Sequence, residues 1–152
     1  MRKILLAGAA MLATTGMAMA AGSATVTLES TVPNVCTIGS TIAPVVFGEG
    51  DTTKVGSFTT NCNFSLANIS VSFKSANGGL LNAAEEVKAP YNLTYSGVTK
   101  AAADITDSTL FIAEPAGTPR NSPKTRNFTV ALDGALTVGG TYSDTLTINV
   151  TP

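Results

Sequence analysis

The chain contains no histidine and no tryptophan, and only 12% of its 152 residues are charged. Without imidazole, a Ser-His-Asp or Cys-His mechanism and a histidine-ligated metal or haem are excluded, because each needs histidine as base or ligand. Nine basic and ten acidic residues provide no row of positive charge for nucleic acid phosphates. The carboxylates are scattered and no nucleophile has a base, so we expect no enzyme, no cofactor and no metal site.

The first twenty residues predict a signal peptide that is removed on export. Arg2 and Lys3 give it a positive start, residues 4–12 form an apolar stretch, and residues 18–20 (Ala-Met-Ala) form a small-residue cleavage site. The apolar stretch is too short to span a hydrocarbon layer of about 30 Å. We therefore expect a mature chain that begins at Ala21 and passes through the periplasm.

The chain has two cysteines, Cys36 and Cys62. In an oxidising compartment, a single pair 26 positions apart predicts a disulfide rather than a redox or metal site. Closing a loop of this length stabilises a fold by about 3.5 kcal/mol when the effect is treated as lost entropy of the unfolded chain. We expect a structural bond and no reactive thiol, since no histidine is present to activate one.

Apolar and polar residues alternate along several segments of the mature chain, which is the pattern of half-buried β-strands. The inward-facing sets are Ile69, Val71 and Phe73; Tyr91, Leu93 and Tyr95; Phe128, Val130 and Leu132; and Leu146, Ile148 and Val150. Shorter apolar runs at 45–47, 55–58 and 110–112 indicate further strands. Turn signals separate these segments and no convincing helical periodicity occurs, so the sequence predicts an antiparallel sandwich or barrel.

One polar stretch within the domain is expected to be a loop. Residues 115–126 contain three prolines together with Arg120, Lys124 and Arg126. This composition favours a solvated connection, with a small anion site as the alternative.

Residues 24–32, which read Ala-Thr-Val-Thr-Leu-Glu-Ser-Thr-Val, form a separate alternating segment near the mature N-terminus. One face of this segment consists of Ala24, Val26, Leu28, Ser30 and Val32. Pro33 interrupts a β-ladder and separates the segment from the region around Cys36. Periodicity leaves two alternatives: a first strand that folds back on its own domain, or an arm that completes the sheet of a neighbouring molecule.

Five sequence runs, taken in their order and spacing, are similar to those of one known family. They are TVPNVCTIG (31–39), TTNCNFS (59–65), ISVSFKSANGGLLN (69–82), APYNLTYSG (89–97) and GGTYSDTLTINV (139–150). Together with the signal peptide, they make the chain resemble a pilin of bacterial chaperone-usher pili, closest to the archaic branch that includes spore-coat-protein-U-like domains. The chain departs from the family pattern at residues 150–152, which read Val-Thr-Pro and include no aromatic residue.

The resemblance implies an all-β fold, an incomplete immunoglobulin-like antiparallel β-sandwich over residues 34–152, preceded by a donor-strand arm at 21–33. In such subunits a groove replaces the final strand, and a periplasmic chaperone fills it before the arm of the next subunit does, with assembly at an outer-membrane usher. Carried onto this sequence, the acceptor groove consists of Val45, Phe47, Leu146, Ile148 and Val150. The implied function is that of a structural subunit of a surface pilus, supporting adhesion or biofilm formation.

A secreted sugar-binding sandwich or a pilus-tip adhesin is the alternative function. Either protein is expected to carry an extra recognition domain or a cluster of exposed aromatic side chains. With aromatic residues at 6% of the chain, the sequence contains neither feature in evident form.

Overall fold

A computed structural model describes residues 25–39, 42–48, 50–65, 67–117 and 120–152. Residues 32–152 form one compact unit, whereas residues up to Thr31 belong to a separate one. The predicted signal peptide (1–20) and residues 21–24 of the predicted arm, including Ala24, lie outside the described residues. Within the described ranges, no helix is both long enough and apolar enough to cross a membrane.

The described part of the chain contains ten strands and one short 3₁₀ helix at Ala102–Ile105. The strands are β1 (Cys36–Ile38), β2 (Thr53–Cys62), β3 (Asn68–Ser75), β4 (Leu80–Asn82), β5 (Val87–Ala89), β6 (Tyr91–Tyr95), β7 (Val98–Ala101), β8 (Thr109–Pro115), β9 (Lys124–Leu132) and β10 (Leu146–Thr151). Every pair of neighbouring strands is antiparallel. The predicted all-β antiparallel fold is therefore confirmed.

The strands form two facing sheets and a small hairpin. One sheet has the order β1-β2-β9-β6-β7, the other has the order β10-β3-β8, and β4 pairs with β5. Because the pairs are antiparallel, the strand ends gather at two opposite ends of the sandwich. We call one the disulfide end, where β2 ends at Cys62 and β9 begins at Lys124, and the other the far end, where β3 ends and β10 begins.

An aromatic cluster centred on Phe73 joins the two sheets. The ring of Phe73 lies 5.0–6.1 Å from those of Phe58, Tyr95, Phe111 and Phe128, measured between ring centroids. Edge-to-face and tilted contacts of this kind stabilise a core beyond the effect of area alone. Phe73 belongs to the three-stranded sheet, whereas Phe58, Tyr95 and Phe128 come from the five-stranded sheet, so the contacts define a sandwich.

Cys36 and Cys62 form the predicted disulfide, and they are also partner residues of the β1–β2 ladder. β1 has only three residues and lies at the edge of its sheet. A ladder this short contributes few backbone hydrogen bonds, so the covalent bond is what holds β1 firmly to the end of β2.

Residues 42–48 differ from the sequence prediction. The strand expected at 45–47 is absent, and this segment is irregular. Pro44 has no N–H to donate and disfavours a regular ladder. Side-chain alternation nevertheless persists, since Val45 and Phe47 pack against the core while Val46 is 69% exposed.

Arg126 also corrects the sequence prediction, which placed it in a solvated loop. β8 extends to Pro115 and β9 begins at Lys124, so Arg126 lies within β9 and is buried. Its Nε donates a 2.8 Å hydrogen bond to Thr60 Oγ1, Nη1 pairs with Glu114, and Nη2 donates to the carbonyl oxygens of Pro115 and Ala116. The guanidinium therefore belongs to a hydrogen-bond network within the core and is not free to bind an anion.

We expect Arg126→Ala to lower the free energy of unfolding by about 3–5 kcal/mol, because it leaves Glu114 partly buried without its charge partner. The matched control is Lys124→Ala, two residues earlier on the same strand and exposed, which should change stability by less than about 0.5 kcal/mol. Urea unfolding of the purified proteins measures both. Equal effects would contradict the structural role of the Arg126 cluster.

Candidate functional site: a groove beside the last strand

β10 is an edge strand that has a hydrogen-bonded neighbour on one side only. All six of its residues pair with β3, from Leu146 opposite Ser75 to Thr151 opposite Ser70. In the described part of the chain, no strand pairs with its other edge. Half of the backbone donors and acceptors of β10 therefore point away from any ladder, as at an edge open to β-strand addition.

A cleft of about 330 Å³ lies between β10 and the irregular segment 42–48. Val45 and Phe47 line one wall, and Leu146 and Ile148 line the other. Side chains of the sandwich interior also line the cleft, namely Leu80, Tyr91, Phe128 and Val130. The cleft is thus an apolar groove that runs beside an unpaired strand edge.

The burial of neighbouring strands indicates that the groove lacks a layer of side chains. On β3, the inward-facing Ile69, Val71 and Phe73 are fully buried. On adjacent β10, Leu146, Ile148 and Val150 face the same interior, yet all three remain only partly buried. An added strand with inward apolar residues would remove this remaining surface from water.

A carboxylate marks the far-end mouth of the groove. Asp144 lines the cleft and accepts hydrogen bonds from the hydroxyls of Ser75 (2.5 Å) and Tyr91 (2.6 Å) through Oδ2. Its Oδ1 accepts from the backbone N–H groups of Asn77 (2.9 Å) and Thr145 (2.8 Å). With four donors, the carboxylate is fully occupied, and its role is to fix the start of β10 to the end of β3.

Two buried tyrosines belong to the hydrogen-bond networks at opposite ends of the core. Burial raises the pKa of Tyr91 well above the ordinary value, and the hydrogen bond to Asp144 raises it further. Burial likewise raises the pKa of Tyr95, reinforced by its hydrogen bond to Glu114. Both phenols therefore stay protonated in the folded protein well into alkaline conditions.

The base of the arm is held by Asn63, just beyond the end of β2. The side-chain Oδ1 of Asn63 accepts a hydrogen bond from the N–H of Val35 (2.9 Å), and its Nδ2 donates to the carbonyl of Pro33 (2.9 Å). Its backbone N–H donates to the carbonyl of Val35 (3.1 Å). Three hydrogen bonds and the adjacent disulfide thus fix the chain where the arm ends.

The predicted arm forms no strand in its described residues, 25–32. Its apolar side chains are strongly exposed: Val26 is 77%, Leu28 91% and Val32 75% accessible, and Ser30 is also exposed. Large apolar side chains that alternate along an exposed segment are unfavourable in water.

The structure places the predicted groove residues as follows. Val45, Phe47, Leu146 and Ile148 meet across the cleft, whereas Val150 shares their face of β10 but lies outside the lining. Sequence reasoning missed the roles of Asp144 and Asn63. A single acidic or amide residue before or after a strand has the same local pattern as any turn residue, so no sequence signal marked either one.

No protein-family model matches the chain, and no curated protein is significantly similar to it. Among solved structures, it is similar to a chain in the crystal structure of the CsuC-CsuE chaperone–tip adhesion subunit pre-assembly complex from the archaic chaperone-usher Csu pili of Acinetobacter baumannii. The TM-score is 0.46 and the sequence identity 18%. The alignment covers 79% of this chain and 40% of that chain.

We expect stability to fall as the pH rises above about 10, where tyrosines ionise in the unfolded chain. Above this pH, Tyr91 and Tyr95 lose their protons in the unfolded chain but keep them in the folded protein. Each tyrosine then lowers the free energy of unfolding by about 1.4 kcal/mol per pH unit. Urea unfolding between pH 9 and pH 11 measures the slope. The Tyr91→Phe/Tyr95→Phe double variant should be less pH-dependent in this range, and an unchanged slope would contradict the assignment.

Proposed function

We propose that this chain is a structural subunit of a bacterial surface pilus, and that it polymerises by donating its N-terminal strand to the groove of a neighbouring subunit. The observation that carries the proposal is the coexistence, in one chain, of an exposed apolar arm and an apolar groove beside an unpaired strand edge. Its resemblance to chaperone-usher pilins, described from the sequence runs above, supports the same function.

The arm and the groove are complementary in chemistry. Every second residue of the arm from Val26 to Val32 lies on one face, and all of these except Ser30 are apolar. The two walls of the groove are likewise apolar, and the edge of β10 offers backbone donors and acceptors. A strand laid against β10 gains backbone hydrogen bonds along its length, while alternate side chains enter the groove.

The energy of such an insertion is comparable with the stability of the whole domain. Burial of a valine or leucine side chain contributes about 1.5–3 kcal/mol, so Val26, Leu28 and Val32 together contribute roughly 5–9 kcal/mol. Domains of this kind are stable by about 5–15 kcal/mol. The subunit with an empty groove is therefore marginal, and the subunit with a filled groove is substantially more stable.

The contact generates a filament because its two surfaces differ. The donor is the arm and the acceptor is the groove, so the association is heterologous and leaves one free surface on each side of every pair. Further subunits add at these free surfaces. The arm acts in trans in this proposal, and the groove of each subunit receives the arm of another.

An open groove also accounts for the proposed partners and location. An unpaired edge next to exposed apolar side chains is a template for aggregation, so a periplasmic chaperone must cover it before assembly. An outer-membrane usher then exchanges the chaperone for the next subunit, and the finished pilus lies on the cell surface. Adhesion and biofilm formation are the activities proposed for this pilus.

Deletion of residues 21–32 should abolish polymer growth. The matched control replaces the same residues by a glycine–serine segment of equal length, which keeps the spacing but removes the apolar face. Both purified mature proteins should remain monomeric in sedimentation and electron microscopy, whereas the full-length mature chain forms long polymers. Filaments made by either variant would exclude the donor role of the arm.

Leu28→Asp should weaken assembly far more than Glu29→Ala. Leu28 lies on the face that enters the groove, and losing its burial lowers the association constant by at least about tenfold, with a further cost for a buried charge. Glu29 lies on the opposite face, so its substitution should have little effect. The critical concentration for polymerisation measures both, and similar effects would mean that the buried face is wrongly assigned.

A further inference from the structure

The two ends of the sandwich differ strongly in charge. In the described residues, the strand connections at the far end and the segment that leads into β2 carry seven carboxylates and no basic residue, while Lys54, Lys74, Lys88 and Lys100 lie in the adjoining strands. The carboxylates are Asp51, Glu85, Glu86, Asp104, Asp107, Asp133 and Asp144. Asp51 pairs with Lys54, and Asp144 is occupied by four donors. The other five are exposed.

The disulfide end has the opposite charge. The connections at this end carry Arg120 and no acidic residue, and Lys124 follows at the start of β9. Both side chains are exposed, and among the described residues neither forms an ion pair. The nearby carboxylate of Glu114 is already engaged by buried Arg126. Two cations therefore remain available at this end.

The base of the arm lies beside one of these cations, Arg120. Val32 and Asn34 line a cleft of about 390 Å³ together with Arg120, Asn63 and Ser65. The base of the arm is consequently at the disulfide end. The groove described above, in contrast, is lined by Asp144, Thr145, Leu146 and Ile148, and so occupies the far-end half of β10.

An arm inserted beside β10 has two possible orientations, and the charges at the two ends favour one of them. If the arm runs parallel to β10, its base lies over the acceptor's disulfide end, and the cations of both copies face each other. If the arm runs antiparallel to β10, its base lies at the acceptor's far end, where Arg120 and Lys124 meet carboxylates. Like charges brought together oppose association, whereas complementary charges favour it.

We propose that the cationic disulfide end, through Arg120 and Lys124, docks on the acidic far end of the second copy whose groove receives the arm. This inference rests on the proposed function and adds a second contact to it. Exposed charges of this kind contribute mainly to the rate of encounter and to orientation, while burial of the arm supplies the affinity. Asp133 is a central acceptor, because its N–H bonds to the carbonyl of Pro90, next to groove residue Tyr91.

The test compares two double variants of the full-length mature chain that change net charge equally. Arg120→Gln/Lys124→Gln should slow polymerisation about fivefold at low ionic strength and flatten its dependence on salt. Lys74→Gln/Lys88→Gln is the matched control: it removes two exposed cations from the acidic far end, on β3 and β5, and should not slow assembly, because that end becomes more acidic. Light scattering measures the rates from about 0.01 M to 0.15 M salt, where the screening length falls from about 30 Å to about 8 Å.

The acidic partner is tested by Asp104→Asn/Asp133→Asn, which should slow assembly in the same salt-dependent manner. The proposal is overturned if Arg120→Gln/Lys124→Gln assembles at the rate of the unmodified chain. It is also overturned if this variant and Lys74→Gln/Lys88→Gln are slowed equally, because the rate would then depend on net charge alone. Deletion of residues 21–32 distinguishes failure of the docking contact from failure of the proposed function. If the deletion abolishes polymers but the charge variants have no effect, only the docking contact is wrong. If polymers form without the arm, the proposed function itself is wrong.

Discussion

The structure depends on the unpaired edge of β10. Backbone N–H and C=O groups at a strand edge need partners, and an unpaired edge is a ready template for another strand. Here the edge borders an apolar groove, and Leu146 and Ile148 on its wall remain half-buried. At this edge the backbone needs hydrogen-bond partners, whereas the neighbouring side chains need to be buried away from water. An added β-strand with alternating apolar residues provides both.

Contacts elsewhere in the molecule hold this edge and the base of the arm in position. The aromatic cluster around Phe73 holds the two sheets together, and Asp144 fixes the start of β10 to the end of β3. At the other end of the sandwich, Asn63 and the Cys36–Cys62 disulfide fix the base of the arm. The groove and the base of the arm are therefore fixed at different ends of the sandwich, which gives the proposed assembly a direction.

Local patterns predicted much of this fold, because period-two alternation at 69–73, 91–95, 128–132 and 146–150 depends only on which face is buried. Two features escaped prediction for a nonlocal reason. Arg126 is buried because Glu114, Thr60 and Tyr95 from other strands complete its network. The segment 42–48 keeps the inward side chains of a strand but has no ladder, since pairing depends on a partner that the local sequence does not reveal.

The position of the disulfide has a mechanical consequence for the proposed filament when it is under load. A pulling force that enters through the arm reaches Cys36 one residue after Val35, and the sulfur bridge passes it directly to Cys62 at the end of β2. β1 therefore cannot be peeled off its sheet one hydrogen bond at a time. The force is instead taken by β2, whose ladder with β9 spans eight residue pairs, so that the junction resists tension by shear along a long strand.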